Sequence, residues 1–146
     1  MACYNRIPKS EIEHRERETT IEKLQQQWDY TTKGFATKEF FLNIKYRLKT
    51  KINLTPNFTA MITAHGKTRS YLHRFKIIES AECPCVNGNQ TANHLLYQCS
   101  KLNNEREKLI AYISKEENWP VKKNELVNKY LKQFTNITNS IDYGKL

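Results

Sequence analysis

The chain has 146 residues, 38% of them hydrophobic and 27% charged, with a formal net charge of +9. Such a chain makes one domain, or one small domain with an appended arm, around a modest core. No window approaches the ~20 apolar residues of a membrane span, and Met1 to Ser10 lacks the apolar run of a signal peptide; the expectation is a soluble, intracellular protein, nuclear or cytoplasmic, not secreted and with no membrane partner.

In chain order, Ser10-Glu11-Ile12-Glu13 after Pro8 reads as a capping box that opens a long polar helix to about Gln27. Its first half is nearly all charge, which predicts a charged arm or linker over 1–18 and a helical domain over 19–146. Only Ile21, Leu24 and Trp28 form a face that can dock. Tyr30 to Gly34 breaks the helix. Thr37 is expected to cap a second one, with Phe40, Phe41, Ile44 and Leu48 sharing a buried face. Thr55-Pro56 starts a third, buried through Phe58, Met61 and Ile62 and ended by His65-Gly66.

The next stretch, Lys67 to Lys76, is expected to be helical from about Thr68 with Tyr71, Leu72 and Phe75 inward. A helix that starts after a glycine among basic side chains can cradle a phosphate. Tyr71 is either core or a base-stacking ring. Further on, Asn103 or Asn104 caps a helix with Leu109, Ile110, Tyr112 and Ile113 apolar and Glu105, Arg106, Glu107 and Lys108 exposed. A final helix from about Lys123 carries Leu126, Val127, Tyr130, Leu131, Phe134, Ile137 and Ile141 as one stripe, able to dock on the body or on a partner. No alternating apolar run of useful length occurs, so the fold is predicted to be mostly α with at most a small hairpin.

That hairpin is where the chemistry concentrates. Cys83, Cys85, His94 and Cys99 follow the pattern Cys-x-Cys-x8-His-x4-Cys. Three thiols and one imidazole are a closed set of four for Zn²⁺, a structural rather than catalytic arrangement. Cys83 and Cys85 lie two apart, on one side of an extended segment; Pro84 keeps that segment out of the helical region. Asn87-Gly88 offers a tight turn. Thr91 can then cap a short helix that sets His94 in its first turn and Cys99 at its far end. Buried thiols with a packed histidine, or disulfides, are the alternatives. The leftover Cys3 has no expected role.

The charge is unevenly placed. Of 24 basic and 15 acidic residues, ten basic ones fall between Lys33 and Lys76 against Glu39 alone, which leaves 14 of each sign elsewhere. All the excess lies in one segment beside the metal site, as on a phosphate-facing surface. The alternative is a solvated face that only confers solubility.

Four ordered motifs carry a resemblance. Trp28-Asp29-x4-Gly34, Ile62-Thr63-Ala64-His65-Gly66, Tyr71-Leu72-x-Arg74-Phe75, and Cys83-Pro84-Cys85 through Gln90-Thr91-x2-His94-Leu95-Leu96-x2-Cys99 together resemble the C-terminal region of insect non-LTR retrotransposon polyproteins, after the reverse transcriptase and RNase H domains. Where this chain has Ala64, family members commonly have glycine. The resemblance implies a zinc-binding module, with Cys83, Cys85, His94 and Cys99 as ligands, that helps grip RNA or target DNA. It does not imply catalysis: polymerase chemistry needs clustered aspartates, and the chain has only Asp29 and Asp142.

The first expectation is therefore a non-catalytic, zinc-dependent nucleic-acid-binding domain. Its candidate contacts are Lys45, Lys49, Lys67, Arg69, Tyr71, His73, Arg74 and Lys76, and its expected partners are RNA or DNA and the upstream polyprotein domains. The second is a zinc-stabilised interaction module that binds protein through the C-terminal helix. A third, a zinc nuclease using His65 or His73 as base, has no acidic partner nearby in sequence.

Overall fold

The structure, a computed structural model, describes residues 6–146. Cys3 lies outside the described residues. Nine helices follow one another among them, and the only β pairing there is an isolated antiparallel bridge between Glu82 and Asn89. The mostly helical prediction holds, and no described helix is long and apolar enough to cross a membrane.

Helix α1, Lys9–Tyr30, begins a residue before the proposed capping box, and Ser10 caps nothing. The Pro8 carbonyl instead accepts from the Glu11 and Ile12 amides, since proline's fixed φ already sets the entry. No residue of α1 is buried. It is held on the body by polar contacts: Trp28 Nε1 donates to the Phe41 carbonyl at 2.7 Å, Gln25 bridges Leu42 and Ile44, and Lys45 pairs with Glu18 at 2.7 Å. Ile21 and Trp28 are half-buried on that side, while Leu24 is exposed.

The second predicted helix is two. α2, Phe35–Phe40, starts at a left-handed Gly34, and α3, Ile44–Lys49, starts where the Asn43 side chain accepts from the Tyr46 amide. That competing cap breaks the helix after Phe41. Phe40 and Phe41 are buried as expected, but Ile44 is only half-buried and Leu48 is 58% exposed, because α3 turns toward α1 instead of continuing along the core.

Helix α4, Pro56–Thr63, matches its prediction, with Thr55 as cap and Phe58, Met61 and Ile62 buried. α5, Arg69–Arg74, is capped by Thr68, and α6, Ala92–Tyr97, by Thr91. After a 3₁₀ turn at Ser100–Leu102 comes α7, Asn103–Ile113, with no side-chain cap from either asparagine.

The final predicted helix also divides, into α8, Lys123–Asn128, and α9, Leu131–Ser140. Its stripe stays together across the break: Leu126, Val127, Tyr130, Phe134, Ile137 and Ile141 are all buried. Of the two surfaces the sequence offered this stripe, it packs on the body, against α2, α4 and α7. Phe134 is central, stacked on Phe40 at 5.5 Å and edge-on to Phe58 at 5.6 Å. Burial of each ring contributes about 2–3 kcal/mol. Leu95, Leu96, Cys83 and Cys99 belong to the same core, so the cysteine-rich segment is anchored in it.

Candidate metal centre

The segment from Ala81 to Thr91 folds back on itself. The Cys83 amide donates to the Gly88 carbonyl at 2.9 Å, and the Gln90 amide to the Ala81 carbonyl at 2.9 Å. Cys83 to Val86 is a turn rather than an extended run: the Val86 amide donates to the Cys83 carbonyl at 2.8 Å, with Pro84 in second position. Proline's φ suits that position, so the sulfurs converge by a turn and not by strand alternation. Val86 and Gly88 then take positive φ, 61° and 97°. This rotation aims the Asn87 amide at the Cys85 sulfur, to which it hydrogen bonds. On the return, the Thr91 hydroxyl accepts from the His94 amide at 3.0 Å and fixes the histidine in the first turn of α6. The Cys99 amide donates to the His94 carbonyl at 2.7 Å and brings the last thiol under the first.

The ligand atoms of Cys83, Cys85, His94 and Cys99 all lie within 4.8 Å of one another. Cys83 Sγ and Cys99 Sγ are 3.7 Å apart, and Cys85 Sγ is 3.2 Å from His94 Nε2. A tetrahedron with metal–sulfur bonds of about 2.3 Å has sulfur–sulfur edges of about 3.8 Å, so the four groups suit a tetrahedral ion. The 3.7 Å sulfur separation is far beyond a disulfide bond, and Cys83, Cys85 and Cys99 are free. Cys83, His94 and Cys99 are buried and Cys85 is half-buried.

The thiols are not equivalent. Burial opposes ionisation of Cys85, but hydrogen bonds from the Asn87 amide and from Cys83, His94 and Cys99 outweigh it and hold its pKa at about 6. Burial pushes Cys99 up to about 11, with the neighbouring thiols adding to it and a hydrogen bond from the Lys101 amide opposing it. A metal ion would find Cys85 ionised and would displace the proton of Cys99.

Two residues that the sequence reading missed hold this group. Arg106, expected on the surface, is buried: its guanidinium donates to the carbonyls of Leu96 at 2.8 Å, Leu95 at 2.9 Å and Cys99 at 2.8 Å, and to Asn103 Oδ1 at 2.8 Å. It satisfies the free carbonyls at the end of α6 and carries the charge that such an end favours. The signal was present, since Arg106 shares a face with Leu109 and Ile113. Gln90, also buried, has its side-chain oxygen 3.0 Å from the Arg69 amide and its Nε2 3.8 Å from Cys83 Sγ, while its carbonyl accepts from the Ser70 amide at 3.1 Å. Gln90 therefore ties α5 to the hairpin.

That tie changes the expected phosphate cradle. The amides of Arg69 and Ser70 are taken by Gln90 and that of Tyr71 by Thr68, so the start of α5 has no free donors for an anion. What remains is side chains. Lys67, Arg69, Tyr71, His73, Arg74 and Lys76 cluster on and around α5, beside the hairpin, and none of the cations among them meets a carboxylate among the described residues. Lys67 does bond Asn57 Oδ1 at 2.6 Å, and Arg69 is half-buried with its Nε unpartnered. Lys45 and Lys49 sit apart, on α3 against α1, where Lys45 is paired with Glu18. Phe75, expected inward, is 52% exposed. His65 and His73 are both exposed, and neither joins a further group of three or more His, Cys or carboxylate side chains among the described residues.

Sequence comparison finds two curated relatives, both from Nasonia vitripennis. The Pol polyprotein of type-1 retrotransposable element R1 2 is 29% identical over 85 residues, which is 57% of this chain and 20% of the relative. The Pol polyprotein of element R1 4 is 29% identical over 99 residues, 66% of this chain and 25% of the relative. The chain thus spans a fifth to a quarter of the length of these relatives. No protein-family model matches, and neither does any solved structure. The resemblance drawn from the four motifs therefore holds at the level of sequence: the chain is similar to a region of non-LTR retrotransposon polyproteins.

Proposed function

We propose that the chain is a zinc-bound, non-catalytic nucleic-acid-binding module of a non-LTR retrotransposon polyprotein. The observation that carries this reading is the joint between the two halves of the site: a four-ligand group with spacing that suits a tetrahedral ion, linked through Gln90 to a basic helix whose cations meet no carboxylate among the described residues. Zinc suits three thiols and an imidazole, and its binding free energy, on the order of 10 kcal/mol, would order a hairpin that has almost no β pairing of its own. Cys83, Cys85, His94 and Cys99 fill all four positions, which leaves none for a substrate. Lys67, Arg69, His73, Arg74 and Lys76 then take backbone phosphates of RNA or DNA, with Lys45 and Lys49 as outlying contacts.

Placement after the reverse transcriptase and RNase H domains follows from the resemblance, and the two relatives are Pol polyproteins. With Asp29 and Asp142 as its only aspartates, the chain has no set of paired aspartates for two-metal chemistry. Residues 1–18 serve as a charged arm to the 19–146 domain, and an intracellular setting suits free thiols. The competing reading, a protein-interaction module built on the C-terminal stripe, has little surface to use, because that stripe is buried against the body.

A salt titration of binding to RNA and to DNA tests the proposal. The logarithm of affinity should fall linearly with the logarithm of salt, and the Arg69→Gln/Arg74→Gln double variant should lower the slope by about two. Affinity that ignores salt would overturn it.

A further inference from the structure

The surface of α5 is aromatic as well as basic. The rings of His65, Tyr71 and Phe75 stand in file, with centroids 5.2 Å apart from His65 to Tyr71 and 4.8 Å from Tyr71 to Phe75. The Arg74 guanidinium lies 5.2 Å from the centre of the Phe75 ring. Phe75 is 52% exposed and Ile77 beyond it is 65% exposed, whereas a phenyl ring at this spacing on a small domain is expected in the core. The file is rigidly mounted. Gln90 and Thr68 close the start of α5, and at its end the Lys76 amide donates to the His73 carbonyl at 2.9 Å and the Ile77 amide to the Leu72 carbonyl at 3.0 Å. Lys76 takes φ 58° to make that closure, a conformation usually left to glycine.

The geometry points to a stacking platform for unpaired bases: single-stranded nucleic acid, with one base laid against the half-exposed Phe75 ring beside the Arg74 guanidinium and the strand's phosphates led past Arg74, Lys76 and Lys67. This rests on the nucleic-acid reading above and narrows it. Every base has a flat π face that an aromatic ring can accept without regard to sequence, but a duplex hides those faces inside its stack. Charge complementarity favours a polyanion, since the sequence has no acidic residue between Phe40 and Ile78.

The test compares a fluorescent oligothymidylate with a blunt DNA duplex of equal length on the zinc-loaded full chain. Wild type should prefer the single strand by about tenfold. Phe75→Ala should remove that preference by weakening the single strand alone, with the salt slope unchanged, while Lys76→Gln should weaken both and lower the slope. Phe75→Trp, which keeps the platform, should retain the preference and show indole quenching by the oligothymidylate but not by the duplex. Equal binding of both probes, with Phe75→Ala neutral and Lys76→Gln weaker, would overturn the platform and leave the phosphate grip standing. No binding of either probe would overturn both.

Discussion

The Arg106 guanidinium sits 2.8 Å from the carbonyl oxygen of Cys99 and so joins helix α7 to the last thiol of the candidate metal group. The same side chain closes the end of α6 through Leu95 and Leu96. Arg106→Leu would take the guanidinium from the Leu95 and Leu96 carbonyls and leave the Cys99 carbonyl with the Leu102 amide alone; it should cost about 3 kcal/mol of stability, with metal affinity down about tenfold or more. Arg106→Lys should recover little, because an ammonium cannot span the fork of acceptors. Denaturant melts of each variant with and without chelator measure both effects.

Gln90 makes a second such joint, between the hairpin and α5. In Gln90→Ala every cation of α5 is retained and so is the backbone bond from the Ser70 amide, but the Arg69 amide loses its partner and the side-chain link to Cys83 is gone. Stability should fall by about 1–3 kcal/mol. Affinity for nucleic acid should fall as well, although no residue proposed to touch it has changed; binding isotherms at fixed salt report this.

Ala64 ends α4 with φ 56° and ψ 25°, in the left-handed region that favours glycine. The alanine pays about 1–2 kcal/mol for that conformation, against a smaller gain from a stiffer unfolded chain. Ala64→Gly should therefore stabilise the protein by about 0.5–1 kcal/mol. Val86, at φ 61° and 77% exposed, is a β-branched residue in the same region and has little packing to lose. Val86→Gly should gain at least as much. Thermal melts of the zinc-loaded forms give both values.

Metal affinity should depend on pH in two regimes. Cys99, raised to about 11, is protonated throughout the neutral range, so each unit of rising pH relieves one competing proton and strengthens binding about tenfold from this group alone. Cys85, lowered to about 6, adds no such dependence above that value and a further tenfold per unit below it. The slope of log affinity against pH should steepen as pH falls through 6. Competition against a chromophoric zinc chelator across that range reads it directly.

Much of this architecture was legible because it is local. Thr55 and Thr91 each cap the helix their position announced, whereas Thr37, expected to do the same, lies inside α2 because Gly34 starts that helix earlier; Cys83, Cys85, His94 and Cys99 meet because a proline turn and a threonine cap act within a few residues of them. What was missed depends on contacts between distant segments. Asn43 competes for the Tyr46 amide while α1 offers a dock for α3, so one apparent helix becomes two and Leu48 turns out to solvent. Arg106 looks like any surface arginine until the end of α6 is placed over it. Phe75 has the spacing of a core residue, but α5 ends before it.

Zinc stoichiometry on the purified chain, with helical content recorded before and after chelation, is the most direct test of the central claim. One zinc per wild-type chain, lost together with the fold in Cys85→Ser and in His94→Ala, is the result the account predicts. No zinc, and helical content indifferent to chelator and to both substitutions, would contradict it.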